Sequence, residues 1–154
     1  MTKWLEFLDA NQNRFEEELM EFVRIPSVSA SSDYSKDVER AAIWVYDRLE
    51  KAGVENTTIM PTGGHPVVYG DWLHAGPSKP TVLIYGHFDV QPAEPFDLWD
   101  TPPFEPEIRN GKMFGRGASD DKGGMLIPII SFEAIIKTSS AQFEVRLALP
   151  KEVN

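Results

Sequence analysis

The periodicity of apolar residues changes at Gly53, and this change restricts the fold more than any other feature of the sequence. Before Gly53, apolar residues recur at helical spacing in two stretches, which predicts amphipathic helices over residues 4–24 and 36–52. After it, short β-branched or aromatic runs separated by Gly and Pro predict strands. These runs cover residues 54–60, 67–72 and 81–85. Helices and strands that interleave in this way predict an α/β fold.

The second half of the chain continues the alternation. Residues 91–106 are rich in Pro, Asp, Glu and aromatic residues and predict a long surface loop, a feature that often lines functional sites. Residues 108–114 predict a hairpin that turns at Asn110-Gly111. A helix over 122–137 and a strand over 142–149 follow.

The run at residues 81–85, Thr-Val-Leu-Ile-Tyr, has no charged residue and is apolar on both faces. In parallel sheets, strands of this type are covered by helices on both sides. We therefore expect this strand to be the most buried one, lying between helices.

Composition excludes several classes of protein. The 154 residues are 42% hydrophobic and 25% charged, which suits one soluble globular core. A net charge of −9 argues against a nucleic-acid partner, and the absence of Cys excludes disulfides, thiolate metal sites and a cysteine nucleophile. No apolar run approaches the ~20 residues of a membrane span. No signal peptide is recognisable, so we expect no membrane partner and a cytoplasmic location.

The first candidate site follows the apolar run, where Gly86-His87-Phe88-Asp89 occurs. Ligands bind at the carboxyl ends of strands in α/β sheets. In an extended chain His87 and Asp89 lie on the same side, so the carboxylate could hold one ring nitrogen while the other ligates a metal. A structural histidine bonded to backbone fits these residues equally well.

The second candidate site is Ser119-Asp120-Asp121-Lys122, between a Gly-rich loop and the last predicted helix. Adjacent carboxylates repel each other, so a protein that directs one into a site usually places a cation there. The simpler alternative is that Asp120 or Asp121 is the N-cap of the helix, where carboxylates are favoured. The glycine spacing matches neither a dinucleotide-binding nor a phosphate-binding loop.

Taken together, the two sites offer one histidine and up to three carboxylates. This nitrogen and oxygen ligand set suits zinc, and also manganese or cobalt. One histidine and one carboxylate do not complete a tetrahedral site, so further ligands must come from elsewhere. His65 and His74, the remaining histidines, are predicted to be surface loop residues.

These motifs strongly resemble a family of two-metal exopeptidases that includes carnosinase, cytosolic dipeptidases, aminoacylase and succinyl-diaminopimelate desuccinylase. The resemblance covers nearly the whole chain up to about Leu149, and Val-Gln-Pro-Ala at 90–93 favours the dipeptidase branch. It implies the N-terminal part of a catalytic domain with a mixed sheet flanked by helices, without the family's lid domain. The matching segments are 22–29, 85–92, Trp99 with Pro103-Phe104, and 111–124.

The resemblance also implies roles for four residues. His87 ligates one metal, and Asp120 bridges the two metals expected in a complete site. Asp89 has a catalytic role in orienting His87, and Asp121 follows Asp120 through a cis peptide bond that aims the bridging carboxylate. The metals, expected to be zinc, activate water and polarise the scissile carbonyl of a small peptide substrate.

The sequence departs from the family after the last predicted strand. Where the family has an adjacent Glu-Glu pair, one general base and one metal ligand, this chain reads Pro-Lys-Glu-Val-Asn at 150–154. Glu152 is a single carboxylate in a different context and is not assigned as the base, so no general base is predicted in this chain.

We therefore expect residues 1–154 to form one partial metallopeptidase domain with a divergent tail over 150–154, inactive by itself. The alternatives are a non-catalytic metal-binding or pairing remnant of the family, or motifs that are purely structural. Full-length members of the family are often homodimeric. In this chain we also expect exposed apolar surface and self-association.

Overall fold

The structure is a computed structural model, and it describes residues 3–138 and 144–149. Three helices, six strands and two short 3-10 turns, at Ser32–Tyr34 and Phe96–Leu98, occur within these ranges. The helices are α1 (Lys3–Val23), α2 (Ser35–Ala52) and α3 (Lys122–Thr138). The strands are β1 (Glu55–Met60), β2 (Val67–Trp72), β3 (Thr81–Tyr85), β4 (Glu107–Arg109), β5 (Lys112–Phe114) and β6 (Glu144–Leu149).

The helices agree with the prediction from periodicity. Helix α2 ends at Gly53, which has a φ of 92° and donates its N–H to carbonyls of the last turn. The predicted apolar face of α2 is buried, and α1 buries its C-terminal residues Phe22 and Val23. The buried residues of the α2 face include Val38, Ala41, Ala42, Val45 and Leu49.

Four strands form a mixed sheet in the order β1-β2-β6-β3. β2 is antiparallel to both β1 and β6, whereas β3 runs parallel to β6. Helix α2 packs on β1 and β2, and α3 packs against α1 and α2. The predicted α/β class with a mixed sheet and flanking helices is confirmed, and the described ranges contain no separate lid-like domain.

The predicted hairpin is formed by β4 and β5. Asn110 and Gly111, the two turn residues, have φ values of 51° and 73°. Two consecutive left-handed residues match the right-handed twist of the paired strands, which is why Asn-Gly is favoured in two-residue turns.

The long loop before the hairpin is held by specific contacts. The indole N–H of Trp99 donates to the carbonyl of Ala93 at 2.8 Å. Arg116 donates through Nη2 to the carbonyl of Pro92 and through its backbone N–H to that of Pro103, at 3.0 and 2.7 Å. These bonds connect the two ends of the loop to the Gly-rich segment and hold the loop in one conformation.

The predicted burial of β3 is wrong. β3 is an edge strand with β6 on one side only, and its side chains are largely exposed. Val82, Leu83 and Tyr85 are 42%, 66% and 61% exposed. An apolar strand is buried on both faces only where helices cover both sides of the sheet, and no such cover is present over β3 within the described ranges.

The last strand is confirmed over 144–149, whereas residues 142 and 143 of the predicted strand and the tail at 150–154 lie outside the described residues. Within the described part of the chain, no helix is both long and apolar enough to cross a bilayer.

Candidate functional site

The segment after β3 is fixed by an earlier loop. Val28 forms a parallel bridge with Val90, and the backbone N–H of Val90 donates to the carbonyl of Ser27 at 3.0 Å. The Ser27 hydroxyl donates to the carbonyl of Phe88 at 2.6 Å. Because Phe88 is fully buried between these contacts, the neighbouring His87 has a fixed backbone.

The contacts of the His87 ring indicate which of its two nitrogens carries a proton. Its Nδ1 is 3.1 Å from the backbone carbonyl oxygen of Asp89 and 3.3 Å from Oδ1 of the Asp89 carboxylate. A carbonyl oxygen can only accept a hydrogen bond, so Nδ1 carries a proton and donates it. Both side chains are largely buried, at 12% and 7% exposure, and the other ring nitrogen, Nε2, is left for a different partner.

That partner is Asp120. Nε2 of His87 is 3.3 Å from Oδ1 of Asp120, whose side chain is 80% exposed. Two lone pairs at this distance repel each other unless a cation lies between them, either a proton on Nε2 or a metal ion. Ligands with Zn–N and Zn–O lengths of about 2.0–2.1 Å at a tetrahedral angle stand about 3.3 Å apart, so the pair fits a shared zinc ion.

Asp121 contacts the backbone of the same histidine. Its Oδ2 accepts the backbone N–H of His87 at 3.2 Å, and its carbonyl accepts the N–H of Met125 in the first turn of α3. The peptide bond between Asp120 and Asp121 is cis. Asp121 therefore connects the start of α3 to the strand end, which a simple N-cap would not do.

Lys122, which the sequence argument passed over, anchors the start of α3. Its ammonium donates to the carbonyls of Phe22 and Ile25, at 2.9 and 2.6 Å, and the side chain is fully buried. Burial lowers the pKa of Lys122 to about 7, while the negative charges of Asp89 and Asp37 oppose that shift. The lysine connects the carboxylate pair to the C-terminal end of α1, where carbonyls lack helical partners.

Ser29 is a second residue that sequence reasoning missed, because its partner lies 60 positions further along the chain. Its hydroxyl donates to Oδ2 of Asp89. His65 is half-buried, and its Nε2 lies 3.1 Å from the carbonyl oxygen of Ser29. His74 is on the surface, where its Nε2 lies 2.6 Å from a carboxylate oxygen of Glu55.

The structure thus brings the predicted residues His87, Asp89, Asp120 and Asp121 together. Within the described ranges, no group of three or more His, Asp or Glu side chains is placed to hold a metal ion. The donor pair of His87 and Asp120 fits a divalent metal in distance and chemistry, and a full coordination shell requires further ligands.

Known proteins similar to this chain include peptidases. Residues 83–149 match the model of peptidase family M20/M25/M40. The Cys-Gly metallodipeptidase dug1 of Schizosaccharomyces pombe is 39% identical over 87% of this chain and 30% of its own length. The human Beta-Ala-His dipeptidase is 33% identical over 82% of this chain and 27% of its own length.

Solved structures give the same result. The dipeptidase Dug1p from Saccharomyces cerevisiae superposes with a TM-score of 0.87 and 28% identity, over 97% of this chain and 34% of that one. Human carnosine dipeptidase 1 gives a TM-score of 0.83 and 30% identity, over 96% and 33%.

The fold and these similarities define a peptidase-type α/β domain. The chain matches the M20/M25/M40 peptidase family in sequence and in fold, which confirms the resemblance predicted from its motifs. It spans about a third of the length of these relatives.

Proposed function

We propose that this chain provides part of a metal centre that hydrolyses the peptide or amide bond of dipeptides or small N-acyl amino acids in a full-length member of the family. The observation that carries the proposal is the 3.3 Å approach of His87 Nε2 to Asp120 Oδ1, which calls for a cation. Residues 1–154 are then one partial catalytic domain, and the small-peptide substrate follows from relatives named as dipeptidases.

In this proposal each residue has a distinct task. His87 would hold one metal, and Asp120 would be the ligand shared by the two metals of the complete site. Asp89 holds the Nδ1 proton of His87, which directs Nε2 towards the metal and raises its basicity. Asp121 fixes the backbone of His87.

A divalent metal, which we take to be zinc, would supply Lewis-acid polarisation of the scissile carbonyl and would acidify water near neutral pH. The exposed carboxylate of Asp120 faces solvent, so a substrate can reach this side of the pair. The buried pair of His87 and Asp89 provides the rigid side of the centre.

We further propose that the 154-residue chain is inactive by itself. A general base alone contributes about 10²–10⁴-fold to such reactions, and none is assigned in this chain. Incomplete coordination adds to that loss. A cytoplasmic location, the absence of nucleic-acid and membrane partners, and homodimerisation of full-length members belong to the same proposal.

The test is calorimetric titration of the chain with Zn²⁺. We expect weak binding that His87→Ala and Asp120→Asn each abolish, whereas His74→Ala, which removes an exposed histidine, leaves it unchanged. Cys-Gly and β-Ala-His should not be hydrolysed. Zinc-dependent hydrolysis that His87→Ala abolishes would refute the proposed inactivity, and equal binding by all variants would refute the metal centre.

The exposure of β3 favours one alternative, a non-catalytic chain that binds metal or pairs with another chain. Leu83 and Tyr85, at 66% and 61% exposure, lie on an open sheet edge that a second polypeptide could cover. Size-exclusion chromatography with light scattering separates the alternatives, since stable pairing without any metal binding would favour the non-catalytic role.

A further inference from the structure

We propose that Ser29 is a positioning residue for His87 and acts through Asp89. This role deepens the proposed function and rests on it, because the orientation of the His87 ring matters for chemistry only if that ring ligates a metal. The serine lies 60 positions before Asp89 in sequence.

The two oxygens of the Asp89 carboxylate have different partners. Oδ2 accepts the hydroxyl hydrogen of Ser29, and Oδ1 lies 3.3 Å from Nδ1 of His87. An ionised carboxylate only accepts, so the serine must donate. By holding Oδ2, Ser29 fixes the rotation of the carboxylate and keeps Oδ1 directed at the ring.

Oδ1 itself makes no well-aligned hydrogen bond, although it is buried. Its contact with the imidazole is therefore electrostatic rather than directional, and it does not by itself prevent the carboxylate from rotating. The Ser29 bond supplies this missing restraint. The nearby ammonium of Lys122 adds attraction to Asp89 but belongs to a side chain already committed to two carbonyls.

Ser29 is itself held from two directions, so its hydroxyl is not that of a free turn. The preceding residue, Val28, is bridged to Val90. On the other side the His65 ring reaches the Ser29 carbonyl at 3.1 Å. The hydroxyl is thus presented to Asp89 by backbone that does not depend on the Ser29–Asp89 bond.

Ser27 provides a matched control. Its hydroxyl also connects the early loop to the strand end, but it donates to the backbone carbonyl of Phe88 and not to the site carboxylate. If Ser29 serves only to hold the loop in place, Ser27→Ala and Ser29→Ala should have the same consequences. If it positions the ring, only Ser29→Ala should affect the ring nitrogens of His87, because in Ser27→Ala the backbone of this segment is still held by the bridge between Val28 and Val90.

The experiment uses the whole chain without added metal, labelled with ¹⁵N in histidine, and follows the ring signals of His87 by long-range ¹H–¹⁵N NMR. We expect Ser29→Ala to speed the exchange of the Nδ1 proton with water, because the carboxylate beside the ring is no longer fixed. Ser29→Thr, which keeps the hydroxyl, should restore the wild-type rate. In an Asp89→Ala background, Ser29→Ala should have no further effect.

A second readout is the Zn²⁺ affinity, which we expect Ser29→Ala to weaken by up to about tenfold, while Ser27→Ala lowers only the melting temperature. Unchanged His87 ring signals in Ser29→Ala, or equal changes in Ser27→Ala, would overturn the positioning role. If the wild-type chain binds no Zn²⁺, the proposed function fails, and the ring signals still decide the role of Ser29.

Discussion

Arg48 and Glu133 form a buried ion pair that joins α2 to α3, with 2.6 Å between Nη2 and Oε2. Their side chains are only 2% and 7% exposed. Arg48 also donates through Nε to Glu18 at 2.9 Å, and Glu133 accepts from Arg14 at 3.0 Å. The four side chains connect all three helices, so the packing of α3, which starts next to the candidate site, depends on them.

We predict that Arg48→Met lowers the free energy of unfolding by about 3 kcal/mol, the lower end for breaking a buried pair, because Arg14 still compensates part of the Glu133 charge. Urea denaturation followed by circular dichroism measures the change.

Arg40→Met is the matched control for this prediction. Arg40 lies on the same helix and pairs with Asp37 at 2.5 Å, but its side chain is 61% exposed. Exposed pairs contribute about 0–1 kcal/mol, so this variant should differ little from the wild type. Similar losses in both variants would show that burial of the Arg48 pair is not what stabilises α3.

A second prediction concerns Lys122. Lys122→Met removes the donor to the carbonyls of Phe22 and Ile25, and leaving buried carbonyls unsatisfied costs about 1–3 kcal/mol. Burial lowers the pKa of the Lys122 ammonium to about 7, which shows that the charge is costly to bury. The variant avoids this cost, and the gain opposes the loss. We expect a net decrease in the free energy of unfolding, measured by urea denaturation.

The control for Lys122 is Lys51→Met, at an exposed position in the last turn of α2, which should change the free energy of unfolding by less than about 0.5 kcal/mol. If Lys122→Met proves more stable than the wild type, the cost of burying the charge outweighs its two hydrogen bonds.

Local features of the sequence predicted the elements well. The helices could be predicted because their apolar spacing and the Gly53 cap are properties of adjacent residues, and Asn110-Gly111 determines its own turn. The two motifs around His87 and Asp120 predicted a shared site, and the structure places those residues 3.3 Å apart, while their roles as ligands stay a prediction.

Features that depend on distant partners could not be predicted in this way. The bond between Ser29 and Asp89 spans 60 positions and that between Lys122 and Phe22 spans 100, so no local pattern marks either residue. The exposure of β3 was missed for a similar reason. The sequence of a strand shows that it is apolar, whereas its burial depends on what packs beside it.

The open edge at β3 leads to a third prediction, self-association through pairing of β3 edges from two copies. Its residues carry no charge, and charged residues are the usual protection of an edge strand. Leu83→Lys should therefore reduce the concentration dependence of the molar mass measured by light scattering. Ile43→Lys, at an apolar residue that is 52% exposed on α2, should not. A wild-type chain that stays monomeric at all concentrations would contradict the prediction.

The last prediction separates the fold from the site at two adjacent glycines of α3. A Cβ at Gly123 would lie 2.2 Å from the carbonyl oxygen of Ala118, so the backbone would have to move, and Gly123→Ala should cost about 1–3 kcal/mol of unfolding free energy. A Cβ at Gly124 would make its one prohibitively short contact with the carboxylate of Asp121, at 2.1 Å from Oδ1, and a side chain can rotate away. Gly124→Ala should therefore keep its stability, because alanine favours the helix, but lose the bond from Asp121 to the His87 N–H.

Urea denaturation measures the loss of stability in Gly123→Ala, and the amide signal of His87 in ¹H–¹⁵N spectra measures the loss of the Asp121 bond in Gly124→Ala. An unshifted amide signal in Gly124→Ala would show that Asp121 does not hold His87.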